Sequence, residues 1–317
     1  MYNYMNISKE ELQMDFSLIG QKIREVRLQL GMSQKEVCAG ICSQAQISKI
    51  EKGEVYPSAP TLYQITKRLG LDLNYFFEGG ITQRQDYVDE VKSQLKAARR
   101  NEDYQLIKDL VRAELSNPIF MNNQENRQFL LWHKGIFEYK LDKNTDKALG
   151  TLKQALAITH KKDNIWTETE LAIVISIGSI YSGENRLDEA IEVFRKTLAY
   201  VTNKMNIESQ SILPSLCFNY SNALTCASHY EESIQCCRQA IEWLIQHDNM
   251  FLLGELHYNI GYNYEFMGQA REAFRYYEKA VRIFTLQKQT RQIPYIREKM
   301  ERLQNEAGPH STGGTGS

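Results

Sequence analysis

The chain has 317 residues, 42% of them hydrophobic, with 38 Lys and Arg against 39 Asp and Glu for a net charge of −1. That supports one or two packed cores and excludes a chain that binds polyanions through bulk charge. Six prolines and eighteen glycines are too few for an all-β or low-complexity protein, and no apolar run reaches the roughly 18 residues that cross a bilayer. Residues 1–15 form a polar extension without the apolar centre of a leader peptide. From Phe16 to Leu30, Ile19, Ile23, Val26 and Leu30 recur at helical spacing, and Gly31 ends the run. Ser33-Gln34-Lys35-Glu36 reads as a capping box that opens a second short helix with Val37 and Ile41 inward. After a turn of about three residues, Ser43-Gln44-Ala45-Gln46 reads as another box, opening a third helix that points Ile47 and Ile50 inward and stops at Gly53. Ser58 caps a fourth helix carrying Leu62, Ile65 and Leu69, and Asp72 a fifth.

Five short helices with a tight turn between the second and third predict a helix-turn-helix domain over 16–78, followed by a linker at 79–85. The string S-Q-K-E-V-C…S-Q-A-Q-I-S-K-I-E-K-G…Y-P-S…T-L closely resembles the DNA-binding domain of the lambda-repressor/Xre family. A helix of this kind presents short polar side chains to a major groove about 12 Å wide. Gln44 is the candidate for base readout, because its amide matches adenine N6 and N7. Gln46 and Lys49 share its side, although Gln46 is committed elsewhere if its amide closes the box on Ser43. Ser43 and Ser48 are candidate phosphate donors. The family resemblance adds Gln34 as a phosphate contact. Between residues 16 and 80 eight Lys and Arg face six acids, so a single head binds weakly and a homodimer on a palindromic operator is expected.

From residue 86 to 306 the sequence repeats. Small residues recur at Ala148, Ala190, Ser233 and Ala273, with Ile136, Gly178, Ser221 and Gly261 twelve residues before them and Ala155, Thr197, Ala240 and Ala280 seven after. A fainter copy occupies 86–116. Such self-similarity predicts a helical solenoid of about five helix pairs, closed by a polar capping helix over 291–306. The run Y-N-I-G-Y-N-Y-E-F-M-G-Q-A-R-E-A-F-R-Y-Y-E-K-A (258–280) resembles the tetratricopeptide repeat, with HEAT-like repeats as the alternative. The fold is therefore expected to be all-α. The tail 307–317, which lacks apolar residues from Gly308 on, reads as disordered, with the look of an expression tag.

In such arrays the first helix of each pair lines the concave side. Laid over one another, the repeats place Lys134, Ser176, Asn219 and Asn259 two residues before the small position, and Phe137, Ser179, Asn222 and Tyr262 one after it. Aligned asparagine amides can pair with the backbone of an extended peptide. Tyr258, Phe137 and Phe266 offer apolar contacts, and Lys134, His133 and Lys140 could take a carboxylate. The plain alternative is that these asparagines solvate the surface or cap neighbouring helices.

With both modules together, F-N-Y-S-N-A-L-T-C-A-S-H-Y-E-E-S (218–233) and I-C-S-Q-A-Q-I-S-K-I-E-K-G-E-V-Y-P-S (41–58) make residues 16–306 resemble the PlcR-type quorum-sensing transcription regulators of the RRNPP group. The resemblance implies a cytoplasmic homodimeric activator. Its solenoid would bind a short, secreted and re-imported signalling peptide, and its heads a palindromic operator. The alternative is an interaction solenoid that sequesters or dephosphorylates another regulator; the intact helix 43–53 favours the first. Histidines at 133, 160, 229, 247, 257 and 310 show no metal spacing. There is no nucleotide-binding or nucleophile-elbow motif, so neither a cofactor nor enzyme activity is expected. Cysteines at 38, 42, 217, 226, 236 and 237 contain no C-x-x-C and read as packing residues rather than as a redox switch.

Overall fold

The computed structural model describes residues 17–73, 75, 83–160, 165–204 and 211–306. The N-terminal extension, most of the expected fifth head helix and the tail lie outside them. Among the described residues every regular element is helical. The chain divides into two compact units, Met1–Gln94 and Leu95–Ser317.

In the first unit the helices are α1 (Ser17–Gln29), α2 (Gln34–Cys38), α3 (Gln44–Glu51) and α4 (Ala59–Leu69). Ile19, Ile23, Val26, Val37, Ile47, Ile50, Leu62, Ile65 and Leu69 form one core. Leu30, expected inward, is 53% exposed, because α1 stops at Gln29 and Gly31 turns the chain away at φ 68°. Ser33 and Glu36 close their capping box in both directions. At Ser43 only half the expected box forms: the Oγ accepts from Gln46 N at 3.2 Å, and no bond returns from the Gln46 side chain among the described residues. The turn between α2 and α3 runs over five residues rather than three, since α2 ends at Cys38. The crossing of α1 over α3 is close at Gly20, where a Cβ would stand 1.9 Å from the Ile50 carbonyl oxygen. Only glycine fits there.

The helix α5 (Gln83–Arg100) runs across the boundary between the units, and the second unit continues with α6 (Tyr104–Glu114) and the short α7 (Pro118–Met121). Four hairpins follow: α8 (Gln124–Lys140) with α9 (Thr145–Thr159), α10 (Glu168–Gly183) with α11 (Leu187–Lys204), α12 (Ile212–Cys226) with α13 (Tyr230–Gln246), and α14 (Leu253–Phe266) with α15 (Ala270–Leu286). The cap is α16 (Ile293–Glu306). The predicted small residues Ala148, Ala190, Ser233 and Ala273 are each the fourth residue of a second helix, and all are fully buried. A Cβ on Gly178 would meet the Phe194 ring at 2.6 Å, and one on Gly261 the Tyr277 ring at 2.8 Å, so these glycines let each hairpin close tightly.

The hairpin turns share one geometry. Glu102, Lys143, Asn185, Ser228 and Gly268 all have positive φ, between 53° and 71°, two residues before the second helix. The next amide then reaches back to an orphan carbonyl, as Arg186 does to Tyr181 (2.8 Å) and His229 to Leu224 (2.8 Å). In the α8–α9 turn Asn144 reaches back six residues, to Glu138, rather than five. That turn is one residue longer than the next three, which shifts the register of the first repeat. Its close-approach residue is Gly135, whose Cβ would meet Leu152 at 2.6 Å, and not Ile136.

Candidate functional site

In the head, Gln44, Ala45, Gln46 and Lys49 form the exposed side of α3, opposite Ile47 and Ile50. Ser43 is exposed at the N-cap and Ser48 half-buried. Ala45 had no place in the sequence reading; it stands between the two glutamines and offers a methyl group.

Gln34 also has a partner inside the head. Its Nε2 donates to Glu51 Oε2 (2.9 Å), and Arg27 grips the same carboxylate through Nε (2.6 Å) and Nη2 (2.9 Å) while its Nη1 donates to Met32 O (2.9 Å). Arg27 and Glu51 are buried. Burial opposes ionisation of Glu51, but the bonds from Arg27 and Gln34 outweigh it and hold the carboxyl below its ordinary range. The clasp ties the end of α3 to α1 and to the start of α2. One of the two amide hydrogens of the half-buried Gln34 is thus used inside the fold.

In the repeats, consecutive first helices pack on one another, and their side chains bond across each junction. Trp132 Nε1 donates to Ser176 Oγ (2.9 Å) from α8 to α10. Ser179 Oγ donates to Asn219 Oδ1 (2.8 Å) from α10 to α12. Asn259 Nδ2 donates to Asn222 Oδ1 (2.8 Å) and Ser221 Oγ (2.9 Å) from α14 to α12, and Thr225 Oγ1 to Asn263 Oδ1 (2.9 Å). Of the amides expected to stand open, Asn222 and Asn259 are thus bonded to each other, while Asn219 accepts from Ser179 and donates to Ser215 O (2.7 Å) of its own helix. Asn259 is buried, while Ser179, Asn219 and Asn222 are half-buried.

The one-residue slip corrects two expectations. Phe137 is 3% exposed and belongs to the core, because the true equivalent of Ser179 and Asn222 in that repeat is Ile136. Lys134 is half-buried, with Nζ 3.9 Å from Glu138 of its own helix. His133 takes the position expected for Lys134; it is fully buried, its Nδ1 bonds Phe129 O at 2.9 Å, and burial lowers its pKa to about 3. It is neutral and cannot receive a carboxylate. Towards the cap the surface is aromatic. Tyr258 and Tyr262 stack at 5.8 Å, Tyr262 meets Phe266 edge-on at 4.7 Å, and Phe266 stacks on Tyr230 at 5.5 Å. Phe266 is 53% exposed. Lys299 of the cap lies over the Tyr262 ring at 4.7 Å and pairs with Glu265 at 2.8 Å.

Cys217, Cys236 and Cys237 are buried; burial pushes Cys237 up to about 12, and Cys217 with burial raises Cys236 too. These are packing thiols of low reactivity. Among the described residues no cluster of His, Cys, Asp and Glu is placed to hold a metal ion, and no helix is long and apolar enough to cross a membrane.

This architecture has relatives. The model of the RNPP family C-terminal domain matches residues 92–302, and a helix-turn-helix model matches 23–76. The chain belongs to the RNPP family. Within that family it is similar to the crystal structure of Bacillus thuringiensis PlcR in complex with the peptide PapR7 and DNA. The two are 26% identical, the match covers 90% of this chain and 99% of that one, and the TM-score is 0.72. In fold it also resembles ComR from S. thermophilus in complex with DNA and its signalling peptide ComS (17% identity, 90% and 99% covered, TM-score 0.62). A third is the Streptococcus dysgalactiae SHP pheromone receptor Rgg2 (14% identity, 90% and 99% covered, TM-score 0.60). No curated protein matches the chain in sequence.

Proposed function

We propose that this RNPP-family chain is a peptide-responsive transcription regulator, working in the cytoplasm by binding alone. The observation that carries the reading is the junction of a helix-turn-helix at 23–76 with an RNPP C-terminal domain at 92–302. The likeness to PlcR, captured with peptide and DNA, supports it over nine-tenths of the chain.

In this reading Gln44, Gln46 and Lys49 meet base edges, and Ser43 and Ser48 meet phosphate. Gln34 supports the head from inside through Glu51. A short signalling peptide lies on the first helices of the repeats. Ser179, Asn219 and Asn222 take its backbone there, Lys134 faces one end, and Tyr258, Tyr262 and Phe266 take apolar side chains at the other. Two copies place two heads on a palindromic operator, and peptide binding favours the arrangement that activates transcription. Because each repeat touches only its neighbours, a ligand spanning several alters their stacking, and it shifts the balance only by its preference for one state.

The test is selection from a pool of randomised duplexes by the full chain, with and without a randomised library of linear heptapeptides. Enrichment of inverted repeats, deeper with the library present, is the expected result. Retention of duplexes without any sequence preference would count against the head's role, and enrichment indifferent to peptides against the groove's.

A further inference from the structure

The amide of Asn222 has a defined direction, and it is set by buried residues. Ser221, fully buried, spends its one hydroxyl hydrogen on the Phe218 carbonyl (2.9 Å). Its oxygen can then only accept, and it accepts from Asn259 Nδ2 (2.9 Å). The other Nδ2 hydrogen of Asn259 goes to Asn222 Oδ1 (2.8 Å). This chain makes three hydrogen bonds. Turning the Asn259 amide over would force Ser221 to leave Phe218 and would keep only two of them, from Ser221 and Asn222 to the Asn259 oxygen. A carboxamide's direction follows from such fixed neighbours. Asn222, half-buried, therefore turns its oxygen to α14 and keeps both Nδ2 hydrogens, which have no partner among the described residues.

From this geometry we infer that Ser221 and Asn259 are positioning residues that fix Asn222 as a hydrogen-bond donor, so the ligand atom received there is an oxygen acceptor, a backbone carbonyl of the bound peptide. The inference rests on the peptide reading above and refines it: Asn259, with both amide hydrogens engaged inside the fold, supports Asn222 and has no donor left for the peptide.

Two experiments on the full chain test it. The first needs no ligand: water exchange of the side-chain amides is followed by NMR on chain carrying 15N-asparagine. Slow exchange of both Asn259 hydrogens with fast exchange of both from Asn222 is expected, and Ser221→Ala should erase the difference. A protected Asn222 amide would overturn the orientation. The second uses as probe the tightest heptapeptide that the wild-type chain selects from a randomised library, with its carbonyls replaced one at a time by thioamides, which accept poorly. One replacement should cost about tenfold in affinity with the wild type and nothing with Asn222→Ala. Ser221→Ala should weaken the unmodified probe although it touches no ligand. Equal losses from that thioamide in wild type and Asn222→Ala would overturn the donor assignment while leaving peptide binding intact. An empty selection would overturn the peptide reading and with it the identity of the acceptor, and the exchange pattern alone would then decide the orientation.

Discussion

Replacing Gly20 by alanine should unfold or loosen the head while leaving the repeats alone. The new methyl would lie 1.9 Å from the Ile50 oxygen and 2.9 Å from its carbonyl carbon. Both are backbone atoms of α3, so no side chain can swing aside. Reaching an ordinary C···O contact of about 3.3 Å requires α1 and α3 to separate by about 1.4 Å. Overpacking of this kind costs about 1–3 kcal/mol. The separation also pulls Glu51 from Arg27, and breaking a buried pair costs about 3–5 kcal/mol. Part of that is shared, so a total near 4 kcal/mol is expected, most of the roughly 5 kcal/mol that a small domain has. The assay is hydrogen exchange over residues 17–69, paired with tryptophan fluorescence. Trp132, Trp166 and Trp243 all lie in the repeats, so fluorescence reports the second unit alone. Loss of protection in the head with an unchanged fluorescence midpoint is expected. A Gly20→Ala head as protected as the wild type would show that the α1–α3 crossing tolerates a methyl group, and the reasoning from close approach would fail.

Acidification should weaken the head through Glu51, whose folded pKa lies below the carboxylate's ordinary value of 4.5. The stability from that depression is present above the unfolded value and disappears as pH falls through the folded one. Head protection in hydrogen exchange should therefore decline below about pH 4.5, and Glu51→Gln, weaker at neutral pH, should flatten that part of the profile. At the α12–α13 turn Ser228 holds φ 62°, a region that costs a non-glycine residue about 1–2 kcal/mol. Ser228→Gly regains that less the chain entropy of glycine, so a gain of about 0.5–1 kcal/mol is expected in urea unfolding followed by fluorescence.

The period of the repeats was legible because close helix packing demands small residues at fixed places: Ala148, Ala190, Ser233 and Ala273 are all fully buried. One extra residue in the α8–α9 turn was not legible, since its sequence carries no mark of length; it slipped the first repeat and placed Phe137 on the wrong face. Likewise the exposed side of α3 followed from Ile47 and Ile50, whereas the Gln34–Glu51 bond joins residues 17 apart and depends on a crossing angle that no local pattern encodes. The aligned asparagines were visible as a column. That Asn222 and Asn259, 37 residues apart, would satisfy each other required the spacing of α12 and α14. Arg27 on the buried stripe of α1 was the one available hint of an internal acid.

The account requires that peptide and duplex be felt by the same molecule. Calorimetric titration of a library-selected heptapeptide into the full chain, with and without a selected inverted-repeat duplex, measures this coupling in one direction. Titration of the duplex with and without the peptide measures it in the other. Linkage demands the same factor both ways, and the account predicts one above about fivefold. Two ligands that bind with affinities indifferent to one another would contradict it.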